Sequence, residues 1–213
     1  IDIFGPMHKS TENHLWIITM MDQFTRWPVA IPIKDRTSDS VANAIFTHWI
    51  CEKGVPTRII SDRGKELISE SIKRLCSKLG ITKVATGGYN PTGNSTVERF
   101  HRYLGASMCI VYEKRIANWQ EYLPPILFSY RASVNDSTGF TPFLLEHGRE
   151  PQLPLQSLFP FMQRSEEATD DYVSKSISRL TEAFRKAQTL HLSEIIDGKI
   201  KRNTSLILSL VTG

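Results

Sequence analysis

Apolar positions in the first 33 residues follow the short periods of strands. Ile1-Asp2-Ile3-Phe4 alternates and stops at Gly5-Pro6; Leu15 to Asp22 is a continuous apolar run. Trp27 to Ile33 alternates again around Pro28 and Pro32, which suits an edge strand. Short links between these stretches predict an antiparallel meander. The period then lengthens. Thr37 offers an N-cap, and Val41, Ala44, Ile45, His48 and Trp49 recur at helical spacing until Gly54. Val55 to Ile60 reads as a buried strand, Lys65 to Leu79 as a helix with Leu67, Ile68, Ile72, Leu75 and Leu79 inward, and Ile81 to Ala85 as a fifth strand. Helices are predicted over 95–113 and 119–131, then a loop-rich stretch over 133–160. Val173, Ile177, Leu180, Phe184 and Ala187 predict a narrow amphipathic, coiled-coil-like helix. The order is that of an α/β protein: a five-stranded mixed sheet, three antiparallel strands then two parallel, flanked by helices.

Composition changes this picture little. A chain of 213 residues with 40% hydrophobic and 23% charged residues suits one sizeable core with an appendage. The net charge of +4 permits a polyanionic partner without requiring one. Cys51, Cys76 and Cys109 are far apart and odd in number, so buried free thiols are expected for Cys51 and Cys76, in a reducing setting. The six histidines show no ligand spacing. No membrane association is expected, since Leu206 to Val211 is far too short to span a bilayer. Asp2 lies inside a strand pattern without a lead-in, so the chain reads as part of a longer polypeptide.

Three acids carry the candidate chemistry. Asp2 lies on the first strand, Asp62 follows the strand at 55–60, and Glu98 opens a helix; 35 residues (63–97) separate the last two. Hard divalent cations favour carboxylate oxygens, and two such ions serve an in-line phosphoryl displacement. Acids delivered by separate elements can surround ions where neighbours on one element cannot. Each acid also has a purely structural role open to it. Asp62 can cap the following helix, Ser95-x-x-Glu98 fits a capping box, and Asp2 can be a surface strand residue. The set, in this order and context, favours metal. Tyr89 and Asn90, in the turn-rich loop before Glu98, are candidates to touch nucleic acid. Asp22 is read as a turn residue bonding its own backbone, and Lys65, Lys73, Arg74 and Lys78 as a solvated basic face.

Taken with their flanks, these segments resemble the catalytic core of retroviral and retrotransposon integrases, most closely the Ty3/Gypsy type. The matching stretches are Ile1-Asp2-Ile3-Phe4-Gly5-Pro6, Met21 to Pro28, Gly54-Val55-Pro56 with Ser61-Asp62-Arg63-Gly64, Tyr89-Asn90-Pro91 and Val97-Glu98-Arg99. Downstream, Trp119, Tyr130-Arg131, Ser137 to Phe143 and Gly148 to Pro151 also match. The resemblance divides the chain into a core over 1–160 and a linker, amphipathic helix and divergent tail over 161–213. It implies an RNase H-like fold and an enzyme that trims element ends and joins them to target DNA. Asp2, Asp62 and Glu98 would hold two Mg²⁺ or Mn²⁺ ions, with Tyr89, Asn90, Asn94, Arg99 and Arg102 on DNA. A homo-oligomer, release from a polyprotein, and passage from a cytoplasmic virus-like particle to the nucleus are implied as well.

The family loop usually reads Tyr-x-Pro-Gln-Ser-x-Gly, whereas Tyr89-Asn90-Pro91-Thr92-Gly93-Asn94-Ser95 places its glycine two positions earlier. Two rivals stay in view. One is a nuclease of the same fold that only cuts, against which the 35-residue spacing (63–97) argues. The other is a decayed or domesticated copy that binds DNA or a partner without catalysis.

Overall fold

The apolar run in the first third becomes a central strand because both of its faces are covered. In a computed structural model, described here for residues 1–86, 95–114, 116–153, 178, 180–190 and 193, β2 (Trp16–Met21) pairs antiparallel with β1 (Asp2–Phe4) and β3 (Pro28–Ile33). Asp2 stands opposite Thr19, and Thr19 opposite Ala30. Successive residues Ile17, Ile18, Thr19 and Met20 are all at most 1% exposed, which a strand reaches when both faces are packed. A second sheet pairs β4 (Arg58–Ser61) in parallel with β5 (Thr82–Ala85). The Ile1 nitrogen donates to the Ile60 carbonyl at 2.7 Å, which ties the start of β1 to β4. The expected three antiparallel and two parallel strands are present, as two hydrogen-bonded sheets.

The first helix starts where its cap was expected. The Thr37 hydroxyl accepts from the Ser40 amide to open α1 (Ser38–Ile45). A π-helical turn over Phe46–Ile50 follows, then α2 (Cys51–Lys53), and Gly54 ends the run at φ 88°, where a side chain would be strained. The next helix begins five residues later than its apolar pattern implied. The Ser69 hydroxyl accepts from the Ile72 amide, so α3 spans Glu70–Lys78 and residues 65–69 form turns. Ile68, expected inside, is therefore 40% exposed, and Val55, ahead of β4, is 51% exposed. Cys76 is buried as expected, whereas Cys51 is exposed because the π turn rotates the end of the first helix.

Helix α4 (Ser95–Glu113) carries the longest apolar stripe: Val97, Phe100, Leu104, Met108 and Val111 are all buried. Each large side chain so buried contributes about 1.5–3 kcal/mol. Gly105 lets this helix approach β1, since a Cβ there would stand 3.6 Å from the Phe4 ring. A 3₁₀ turn (Trp119–Tyr122) precedes α5 (Leu123–Ala132). Trp119 is fully buried and its indole Nε1 donates to the His8 carbonyl at 2.8 Å.

The chain divides into two compact units, residues Ile1–Asp22 with Pro28–Ser129, and Gln23–Trp27 with Tyr130–Gly213. Within the second, the stretch expected to be loop contains α6 (Pro142–His147). Its start and stop signals were legible: Thr141 caps the Leu144 amide, Pro142 occupies the first turn, and Gly148 closes at φ 73°. Leu145 packs with Ala183 and Ala187 of the helical residues 180–190, together with Phe24, Phe140 and Leu144. Phe24 stacks on Phe184 at 5.5 Å, and the Arg131 guanidinium lies 4.0 Å over the Trp27 ring. Val173 and Ile177 of the expected long helix lie outside the described residues. Among the described residues no helix is long and apolar enough to cross a membrane.

Trp119→Ala is expected to cost about 3–5 kcal/mol, because it removes a full core side chain and strands the His8 carbonyl. Urea denaturation measures this; a loss below about 1 kcal/mol would show that the site collapses around the missing ring.

Candidate active site

Asp2 is held by its own strand and by α4. Its Oδ1 accepts from the Ile3 amide at 2.7 Å, and its Oδ2 stands 3.6 Å from His101 Nδ1. The link runs through Thr19, directly across the ladder. The Thr19 hydroxyl donates to the Asp2 carbonyl at 3.0 Å and meets His101 Nε2 at 2.6 Å. Thr19 is fully buried, and the His101 ring packs edge-on against Phe4 at 5.4 Å. Burial holds the His101 pKa below its ordinary 6.5, against the opposing pull of Asp2 and Glu98. Glu98 lies one helical turn before His101 on the same face of α4 and is exposed.

Asp62 follows β4 in a tight turn. Its Oδ1 accepts from the Gly64 amide at 2.9 Å, a side-chain turn that aims the carboxylate along its own loop. The adjacent Ser61 is fully buried. Its hydroxyl donates to the Asp62 carbonyl at 2.9 Å and receives the Lys83 ammonium at 2.7 Å. Burial lowers the Lys83 pKa, while Cys76 and Asp62 act in the other direction.

Among the described residues no three His, Cys, Asp or Glu side chains stand close enough to hold a metal ion as a group. The donor chemistry nevertheless fits a hard divalent cation, since three carboxylates arrive from β1, the end of β4 and the start of α4. Arg99 and Arg102 are exposed beside Glu98 on α4. Tyr89, Asn90 and Asn94 lie outside the described residues. Motif reading passed over Thr19, hidden inside an apolar run, and Ser61 and Lys83, which carry no spacing signal. His101 was visible only as the residue between two arginines.

The family model described as integrase core domain matches residues 1–91, a span that includes Asp2 and Asp62 and ends before Glu98. Over those residues the chain is similar to integrase core domains. The chain is 28% identical over 195 residues to the retrovirus-related Pol polyprotein from transposon 412 of Drosophila melanogaster, covering 89% of this chain and 15% of that protein. It is also 28% identical over 160 residues to the bovine Gypsy retrotransposon integrase-like protein 1, covering 74% of this chain and 31% of that protein. The chain therefore spans under a third of the length of these relatives. Among solved structures, the simian T-cell lymphotropic virus intasome in complex with PP2A regulatory subunit B56 gamma superposes with a TM-score of 0.59 at 24% identity, over 72% of this chain and 55% of that chain. That likeness establishes the fold, the RNase H-like one that the resemblance implied.

Two outcomes follow from the site itself. A histidine whose folded pKa lies below 6.5 binds its proton more readily in the unfolded chain. The stability of the metal-free chain should therefore fall as pH drops below about 6.5, and His101→Gln should flatten that fall. Urea titrations at pH 7 and pH 5 check this; identical slopes in both proteins refute it. A Cβ at Gly64 would stand 3.1 Å from Asp62 Oδ1 and 3.4 Å from Glu66 Cδ. Gly64→Ala should push the carboxylate off the backbone amide at position 64 and speed that amide's deuterium exchange by about tenfold, the worth of one charge-assisted hydrogen bond. Unchanged exchange would mean that the turn absorbs the methyl group.

Proposed function

We propose that this chain is the catalytic core of a retrotransposon integrase, a polynucleotidyl transferase that trims the 3′ ends of element DNA and joins them to target DNA. The observation that carries the reading is the coupling of Asp2 to α4, the helix of Glu98, through the Thr19 hydroxyl and the His101 ring. It sets the first acid, Asp2, 3.6 Å from an imidazole of the helix that carries the last acid, Glu98. Bound by Asp2, Asp62 and Glu98, two Mg²⁺ or Mn²⁺ ions would activate the attacking oxygen and stabilise the leaving one.

The chain's own residues orient the reaction. The Gly64 amide aims Asp62, Thr19 and His101 aim Asp2, and α4 carries Glu98 beside Arg99 and Arg102. Those two cations are assigned to the DNA backbone, with Tyr89, Asn90 and Asn94 on the DNA strand near the reacting phosphate. In trimming, the nucleophile is water. In joining, it is the freed 3′-hydroxyl, which displaces a target-strand oxygen at phosphorus. Concerted joining of two ends calls for a homo-oligomer. The core would be released from a polyprotein in a cytoplasmic virus-like particle and act in the nucleus.

Asp62→Asn should abolish metal-dependent resolution of a labelled branched DNA that mimics the joined product, while circular dichroism stays unchanged. Retained activity in that variant overturns the assignment. Cutting without joining of pre-trimmed ends would mark a nuclease. Salt-sensitive DNA binding without any metal-dependent product would mark the decayed or domesticated reading that the displaced glycine, Gly93, favours.

A further inference from the structure

A second carboxylate lies against the turn that carries Asp62. Asp62 Oδ1 and Glu66 Oε2 stand 3.1 and 3.5 Å from the point that a Cβ on Gly64 would occupy, so both acids pack on one glycine. The Glu66 side chain is 14% exposed, and a charge so enclosed is screened less than one at the open surface. Like charges at this range repel.

The repulsion falls on the Asp62 side chain, because the rest of the turn is fixed. The Gly64 carbonyl accepts from the Leu67 and Ile68 amides at 2.9 and 3.0 Å. The Ser69 hydroxyl donates to the Glu66 carbonyl at 3.0 Å, and Leu67 is buried. These ties hold the backbone that carries Glu66. The exposed Asp62 carboxylate is held by its bond to the Gly64 amide.

Arg36 meets the Glu66 charge from the far side. It lies between β3 and the Thr37 cap of α1, with Nη1 3.6 Å from Glu66 Oε1. Its guanidinium lies 4.4 Å over the Trp16 ring, and Trp16 opens β2 opposite Ile33. Stacking on an indole restrains a side chain that is 49% exposed. An ion pair in open water contributes little. Here one partner is largely enclosed, so removing the cation leaves a carboxylate without compensation.

We infer that Arg36 is a positioning residue for Asp62. It cancels the Glu66 charge, so that Asp62 keeps Oδ1 on the Gly64 amide and leaves Oδ2 for a cation. The second half of that statement rests on the reading of Asp62 as a metal ligand.

Nuclear magnetic resonance of the ¹⁵N-labelled whole chain tests this at the Gly64 amide, whose proton shift reports the bond to Asp62. Arg36→Met keeps an apolar stem over Trp16 and removes the charge. It should move the Gly64 proton upfield, towards its position in Asp62→Ala, and speed its exchange about tenfold, the worth of one charge-assisted hydrogen bond. Glu66→Gln alone should leave the proton in place. The double variant Arg36→Met/Glu66→Gln should return it, because no like charge remains to be cancelled. A Gly64 signal unmoved by Arg36→Met overturns the inference. So does a double variant that stays displaced, which would make the pair a packing brace. Addition of Mn²⁺ separates this from the reading beneath it. Broadening at Gly64 that Asp62→Ala abolishes supports Asp62 as a ligand. Absence of such broadening overturns the metal reading alone, since the Gly64 shifts still decide what Arg36 does.

Discussion

A single buried hydroxyl joins the three elements on which this site depends. Thr19 sits in the middle of the central strand, fully enclosed, with its oxygen between the backbone of β1 and the imidazole of α4. A buried hydroxyl left without partners costs on the order of 1–3 kcal/mol, so the packing that encloses Thr19 also enforces both of its contacts. That constraint sets the height of α4 over the sheet. Phe4 against His101 and Gly105 against Phe4 are the apolar half of the same contact.

The second acid depends on a different kind of constraint. Asp62 is held by a local turn, through one bond to the Gly64 amide, while the strand beneath it is fixed by the buried Ser61 and the Lys83 ammonium. Local turns are adjustable and buried ladders are not. The first acid is therefore rigidly placed and the second is tuned by its own loop.

Among its described residues the second unit packs Leu145, Ala183 and Ala187, with the Phe24–Phe184 stack and the Arg131–Trp27 contact as the larger areas. Small alanines at 183 and 187 are what let a helix lie close to α6. Aromatic and guanidinium planes supply the area that so few aliphatic side chains cannot.

The sequence by itself determined the strand order, the cap at Thr37, the apolar stripe of α4, and which acids stand at element ends, because each is written in local periodicity or in the stereochemistry of one turn. It misplaced the start of α3, where the Ser69 cap prevailed over an apolar pattern reaching back to Leu67, and it passed over α6 although Thr141-Pro142 and Gly148 marked both ends. Ile68 and Cys51 were assigned to the interior because periodicity cannot register a delayed helix start or a π turn. Only the tertiary structure decided what surrounds the acids. Thr19 meets His101 across 82 positions and Lys83 meets Ser61 across 22, and no periodicity links residues so far apart.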